Sequence, residues 1–307
     1  MNRDVLVLCG PGNNGGDGLA LGRMLLQIGY DAQIVLFHTG NLSPDCKQNK
    51  ERLQDSFPDF FIEQTRKFEP IEISEKTIIV DALFGSGLSR PLDGIFAEAV
   101  NWINLLNNEV VSIDIPSGLN GDKCASDEEI IVKADITYTL QFPKIAFLFA
   151  ENEKYVGKWK VIDIQLHPEG IKKEPTSFFF TDKTDVQSFL KTRSKFSHKG
   201  NFGHVFLMTG SKGMAGASVL ATSATLRAGA GLATIFGMEE NRAVLQTSVP
   251  EAMYKTDLSD IQKYSVFAFG PGDGHFKETE QIFKEMLRSN SFSLLTRERG
   301  HGVRSVF

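Results

Sequence analysis

Short β-branched runs alternate with helical patterns along the first half of the chain. The apolar stretch DVLVLC (4–9) reads as a buried strand, and so do QIVLF (33–37), KTIIVDALFG (76–85), EVVSIDIPSG (109–118), ADITYTLQFPK (134–144) and WKVIDI (159–164). Between the first two, the spacing predicts a helix over 17–28, with Leu21, Met24, Leu25 and Ile28 on its inward face and Gly29 as its stop. Strands alternating with helices imply βαβ units and a doubly wound, mainly parallel sheet, an α/β fold. From 165 to about 200 the rhythm gives way to polar, mixed sequence. A second glycine-rich series then starts: a strand at 204–208, a helix with Leu220 and Leu226 inward, a strand at 232–236, and YSVFAFGPGDG (264–274) as strand and turn. The expected organisation is a first domain over 1–168, a linker over 169–195 and a second domain over 196–307, with no internal repeat relating the two.

Composition changes this picture little. At 307 residues, 41% hydrophobic and 23% charged, the chain is that of a two-domain globular protein. A formal net charge of -5 argues against a nucleic-acid partner bound by broad charge neutralisation, but leaves room for an anionic small molecule. Cys9, Cys46 and Cys124 are too scattered for a disulfide framework or a zinc site, which points to a cytoplasmic setting. No apolar run is long enough for a membrane span.

The candidate chemistry lies at strand ends, where α/β sheets gather ligands. After the first strand comes Asn13-Asn14-Gly15-Gly16-Asp17-Gly18, a turn in which glycines let backbone N–H groups approach phosphate oxygens. The plainer reading is a tight turn with Asp17 as helix cap. Asp81 ends the VDALFG strand, and Asp114 stands before Pro116 and Ser117. Two carboxylates at neighbouring strand ends imply a cation or an acid–base role. Amide, carboxylate and hydroxyl oxygens suit a hard cation. Lys144 offers positive charge at the same rim, or is a solvated surface lysine.

GPGNNGGDG, VDALFG and SIDIPSG, in this order, resemble the NAD(P)H-hydrate epimerase family over residues 4 to 165. From 196, KFSHKGNFGHVFLMTGSKGMAGASVLATSATLRAGAGLATI resembles the opening of the ADP- or ATP-dependent NAD(P)H-hydrate dehydratase domain, of ribokinase-like fold. The pair is the arrangement of the bifunctional nicotinamide nucleotide repair enzymes. The resemblance implies a Rossmann-like first domain that interconverts the R and S forms of NADH or NADPH hydrated at C6 of the nicotinamide ring. It implies a second domain that dehydrates the S form at the expense of ADP or ATP. It places substrate at Asn13, Asn14, Gly15, Gly16 and Asp17, at the loop Gly85, Ser86, Gly87, Leu88, Ser89, Arg90 and Pro91, and at Asp114. Potassium falls to Asn14, Asp81 and Ser117. Ala217 and Gly272 match substrate-contacting positions of the dehydratase, although helix packing and a plain turn also account for them. His198-Lys199-Gly200 is an anion contact or a domain entrance. With Asp81 given to the ion, Asp114 is the expected acid–base group and Lys144 its partner.

Two departures from the pattern shape the expectations. Family members begin with a further helical segment, whose lack would uncover a sheet face and part of a dimer surface. The stretch from about 291 has no counterpart in the dehydratase pattern, so the second domain is expected to be incomplete and inactive in this chain. The competing readings are a non-catalytic epimerase-like scaffold, of the kind used in mRNA decapping, and a gene-model fragment. The intact Asn14, Asp81, Asp114 and Ser117 set speaks against the scaffold.

Overall fold

The computed structural model describes residues 4–88, 90–190, 192–258, 260–272 and, as a single strand, 292–295. The chain divides into two compact units, Met1–Phe178 and Phe179–Phe307.

Unit 1 is built on seven parallel strands: β1 (Val5–Cys9), β2 (Ala32–Phe37), β3 (Phe61–Gln64), β4 (Ile78–Ala82), β5 (Val110–Ile113), β6 (Ile136–Leu140) and β7 (Lys158–Ile162). Their order across the sheet is β3-β2-β1-β4-β5-β6-β7. The period-2 rule explains why the central strands carry unbroken apolar runs. Val7, Cys9, Ile34, Leu36 and Val80 meet α1 (Asn13–Gln27) and α2 (Pro44–Ser56) on one face. Leu6, Leu8, Val35, Phe37 and Ile79 meet α3 (Gly94–Leu105) on the other. Ser43 caps α2 by accepting from the Cys46 N–H at 3.2 Å, with Pro44 pre-set at the first helical position.

The glycine-rich stretch is not a free turn before a helix; it is the first turn of α1, which starts at Asn13 with Gly12 as its N-cap. Asp17 is therefore inside the helix and caps nothing. Nor do Met24 and Ile28 point inward: they are 56% and 71% exposed. The buried stripe is Gly15, Gly18, Leu19 and Gly22. These small residues bring the helix so close to the sheet that a Cβ at Gly18 would lie 2.5 Å from the Ala82 Cβ, and one at Gly22 2.4 Å from Ile34 Cγ1.

Unit 2 carries five parallel strands in the order β10-β9-β8-β11-β12: β8 (His204–Met208), β9 (Leu232–Phe236), β10 (Met253–Lys255), β11 (Val266–Phe269) and β12 (Phe292–Leu295). Helix α7 (Ala215–Arg227) follows β8, and α8 (Arg242–Ser248) precedes β10. Leu220, expected inward, is 73% exposed; Ser218 and Thr222 are buried in its place, and Leu226 does pack on a core of Ile235, Leu245 and Tyr254. The tail expected to be off-pattern from 291 supplies β12, paired in register from Val266↔Phe292 to Phe269↔Leu295; the rest of it lies outside the described residues. The expected linker straddles the division at Phe178 and holds most of α5 (Pro168–Lys173), in unit 1, and α6 (Lys183–Phe189), in unit 2, two short helices without buried residues. The remaining short helix, α4 (Glu153–Val156), precedes β7. No helix among the described residues is long and apolar enough to cross a membrane.

Candidate functional site

In unit 1 the strand order reverses between β1 and β4, so the loops after these strands diverge and leave a crevice at their carboxyl ends. A cleft of about 560 Å³ occupies this position. Asn13, Asn14 and Asp17 of α1, Gly85, Ser86, Gly87, Leu88 and Arg90 of the β4–α3 loop, and Asp114 all line it. Gly12, Leu83, Phe84 and Leu140 line it as well. Their signal was available: each adjoins a predicted strand end or the glycine stretch. Gly15, Gly16, Pro91 and Lys144 are not among the lining residues, and Ser89 lies outside the described residues.

The glycines that do not line the cleft shape it. A Cβ at Gly15 would fall 1.7 Å from the Gly10 carbonyl oxygen, and one at Gly16 3.2 Å from the Cys46 nitrogen. Gly15 admits no side chain and Gly16 leaves little room for one, beside the Asn13 and Asn14 side chains at the cleft. Gly12 provides no side-chain cap, and Gly12, Asn13 and Asn14 line the cleft, so the positive end of the helix dipole lies at it. That is a setting for an anion. Across Gly85, Asn14 and Asp114 face each other, each 3.3 Å from where a Cβ would stand.

Asp81 forms the base of the site. It is wholly buried and accepts four hydrogen bonds: from Leu83 N–H (3.2 Å), Ser112 Oγ (2.8 Å), Ser117 N–H (2.8 Å) and Ser117 Oγ (2.5 Å). Burial pushes its carboxyl up, and these donors hold it back only in part. Ser117 Oγ in turn accepts from Phe84 N–H at 2.8 Å, which ties the β4–α3 loop to the end of β5.

Asp114 has φ of 69°, in the left-handed region, a conformation that costs roughly 1–3 kcal/mol for a residue with a side chain. Ile115 N–H closes the turn onto Ile113 C=O at 2.9 Å, and Asp114 N–H donates to Tyr138 C=O at 2.7 Å. The result is a carboxylate turned out of the strand line into the cleft. Lys144 Nζ lies 2.7 Å from Oδ1, Leu140 N–H donates to Oδ1 at 3.3 Å, and Ser86 N–H donates to Oδ2 at 3.1 Å. Burial pushes this carboxyl up, but the Lys144 ammonium and the two backbone donors outweigh it and leave it below the ordinary carboxylate range. Asp17 shifts the other way. Water reaches it, yet crowding by the cleft walls and then the charges of Asp114 and Asp45 raise its carboxyl.

No cluster of three or more His, Cys, Asp or Glu side chains suited to a metal occurs among the described residues. A cation here would rest on amide and hydroxyl oxygens about one carboxylate. Asn14 is buried and its Nδ2 position has no partner. Amide orientation is assigned from hydrogen bonding, and with the amide reversed the unpaired buried atom is an oxygen. With Ser117 and the Asp81 charge, this donor set fits a hard monovalent cation in kind.

In unit 2 the order reverses between β8 and β11. Gly210 N–H donates to Pro271 C=O at 3.0 Å there, joining the loops after the two strands. Ala217 and Gly272 come together at this point: a Cβ at Gly272, whose φ is +65°, would stand 2.6 Å from that of Ala217. His198 Nδ1 accepts from Gly200 N–H at 3.2 Å.

Each unit is thus a parallel α/β sheet with a strand-order reversal, the class of fold that binds nucleotides in loops at such a point. Residues 1–146 match the family described as YjeF-related protein N-terminus, and residues 205–295 match NAD(P)H-hydrate dehydratase. The chain is 38% identical to an NAD(P)H-hydrate epimerase of Lentilactobacillus buchneri over 53% of this chain and 74% of that one. It is 31% identical to a bifunctional NAD(P)H-hydrate repair enzyme of Thermofilum pendens over 98% of this chain and 60% of that one. The crystal structure of yeast YNL200c aligns with 59% of this chain and 76% of its own, at 24% identity and a TM-score of 0.42. The chain belongs to the NAD(P)H-hydrate epimerase family, and its match to the dehydratase family is confined to residues 205–295. It spans about six tenths of the length of the bifunctional relatives it matches. The expectation of an inactive second domain is not supported, since the dehydratase match runs through the strand at 292–295 that had been set aside as off-pattern.

Proposed function

We propose that unit 1 epimerises the R and S forms of hydrated NADH and NADPH, and that unit 2 belongs to the step that dehydrates the S form with ADP or ATP. The observation that carries the first part is a cleft at the β1/β4 reversal in which the glycine-rich N-terminus of α1, with Asn13 and Asn14, stands opposite an oriented, ionised Asp114. The helix terminus suits a pyrophosphate, and the anion suits a cationic transition state. Ala217 and Gly272, side by side at the β8/β11 reversal, stand as substrate contacts of unit 2.

The chemistry asks for little. The C6 hydroxyl is on a carbon next to the ring nitrogen, whose lone pair assists its departure as water and leaves an iminium-like ring. Water returning to the opposite face gives the other epimer. Asp114, held by Lys144, Ser86 and Leu140, stabilises the positive ring without reorganising. Potassium, at Asn14, Asp81 and Ser117, would supply fixed positive charge for the dinucleotide, and the unpaired buried amide atom of Asn14 supports that assignment. The β4–α3 loop, anchored through Phe84 and Ser117, holds substrate against α1.

The test feeds the R hydrate to purified protein with a separate dehydratase in excess and follows the recovery of reduced-nucleotide absorbance against the spontaneous rate. Acceleration by the wild type, lost by at least about a hundredfold in Asp114→Asn with the fold retained, is the expected result. A wild-type rate equal to the spontaneous one sinks the reading. The S hydrate with ADP or ATP, without added dehydratase, reads unit 2 separately.

A further inference from the structure

Two carboxylates face the unit 1 cleft from different elements, and the protein treats them in opposite ways. Asp114 is buried, and both its oxygens are engaged by Lys144, Leu140 and Ser86. Every one of these contacts favours the anion, so a proton placed there would break an ion pair. Asp17, in the second turn of α1, is open to water and makes no hydrogen bond or ion pair among the described residues. The groups around it are the negative charges of Asp114 and of Asp45 at the start of α2, while Arg90 lines the cleft from the β4–α3 loop and Lys144 is committed to Asp114. A carboxyl crowded by the cleft walls, with two negative neighbours and no donor to its anion, keeps its proton more readily, whereas its partner is held ionised. Two carboxyls whose surroundings divide them in this manner are suited to separate acid and anion roles.

We propose that Asp17, not Asp114, is the proton-carrying group of the cleft, with Asp114 remaining an anion throughout. This rests on the epimerase reading. Protonated Asp17 gives its proton to the C6 hydroxyl; the C6–O bond breaks with its electron pair leaving on water, and the ring nitrogen lone pair forms the C=N bond. Water then adds to the opposite face and releases its extra proton to solvent in the open cleft. Asp17, being accessible, takes a proton back from that solvent. The sum is one epimerisation with no net change in protons or water.

The full chain carries the test, with kcat and KM for the R hydrate measured over the acid-to-neutral range for wild type, Asp17→Asn and Asp17→Glu. Wild-type kcat is expected to fall as pH rises through the Asp17 pKa, because the protonated form is the one that acts. Asp17→Asn should lower kcat on the order of a hundredfold with little change in KM, and flatten that limb. Asp17→Glu should restore part of the rate and the limb. An unchanged thermal midpoint in Asp17→Asn is expected, since the side chain holds nothing together. Asp17→Asn with wild-type kcat and an unaltered pH profile, or with a raised KM alone, overturns the proposal while leaving the epimerase reading standing. A wild type that does not accelerate epimerisation removes both.

Discussion

At the scale of single residues, the site depends on how three aspartates are solvated. Asp81 has exchanged water for four protein donors, and it fixes Ser112 and Ser117 beneath the cleft. Asp114 depends instead on one cation. Removing Lys144 by Lys144→Met leaves a buried carboxylate with two backbone donors and no countercharge, which should lift its pKa from below the ordinary range to above it. The sign of the stability effect follows. A carboxyl lowered in the folded state adds stability above its unfolded pKa of about 3.9, and that stability is lost as pH falls through the folded value. The wild type should therefore exceed Lys144→Met by roughly 1–3 kcal/mol near neutral pH, with the gap closing in acid. Urea denaturation of both proteins at several pH values checks this, and a gap independent of pH would show that the lysine acts through packing.

At the scale of elements, the sequence reveals the site's ingredients better than the path of the helix that bears them. Asn13, Asn14, Asp17, the loop from Gly85 and Asp114 could all be read from strand ends and motifs, and the structure brings them into one cleft. The strands β8 and β9 coincide with their apolar runs. Of the face expected inward, Leu21 and Leu25 do pack against the core, whereas Met24 and Ile28 are exposed, because close helix–sheet approach is decided by Gly15, Gly18 and Gly22, which periodicity does not weigh. The same logic places Ser218 and Thr222, not Leu220, against the second sheet, where Ser218 Oγ donates to Thr209 C=O. The strands β3 and β10 escaped because they are four and three residues long at sheet edges, too short for an alternation signal. The glycines also differ in what they protect. A Cβ at Gly85 meets Asn14 and Asp114 at 3.3 Å, a contact that shifts of a few tenths of an ångström relieve. Gly85→Ala should keep thermal stability within about 1 kcal/mol and yet cut kcat/KM for epimerisation by about tenfold or more, because the methyl stands between the two cleft walls. Thermal melts and steady-state kinetics on one preparation separate the two effects; a large loss of stability with normal kinetics would count against this role for Gly85.

At the scale of the whole molecule, the two sheets have separate cores, and the chain between them has none. Among the described residues of 163–196 none is buried, although α5 and α6 run through them and Phe178, Phe179, Phe180 and Phe189 are at least half exposed. A segment whose backbone is tied down by few buried contacts opens at little cost, and proteases cut where such opening is frequent. Chymotrypsin at low ratio should therefore cleave first within 178–190, leaving two fragments that resist further digestion, while the buried aromatics Phe37, Phe206 and Phe267 stay protected. Mass spectrometry of the time course locates the first cut. The fragment ending near Phe178 contains every residue of the unit 1 cleft, so it should retain the epimerisation rate of the uncut chain if the chemistry belongs to that unit alone. Loss of the rate in step with the first cut, with the fragment still folded by circular dichroism, would mean that the cleft needs unit 2 for its working geometry. A first cut inside either sheet would instead show that the boundary near Phe178 is not where the chain opens.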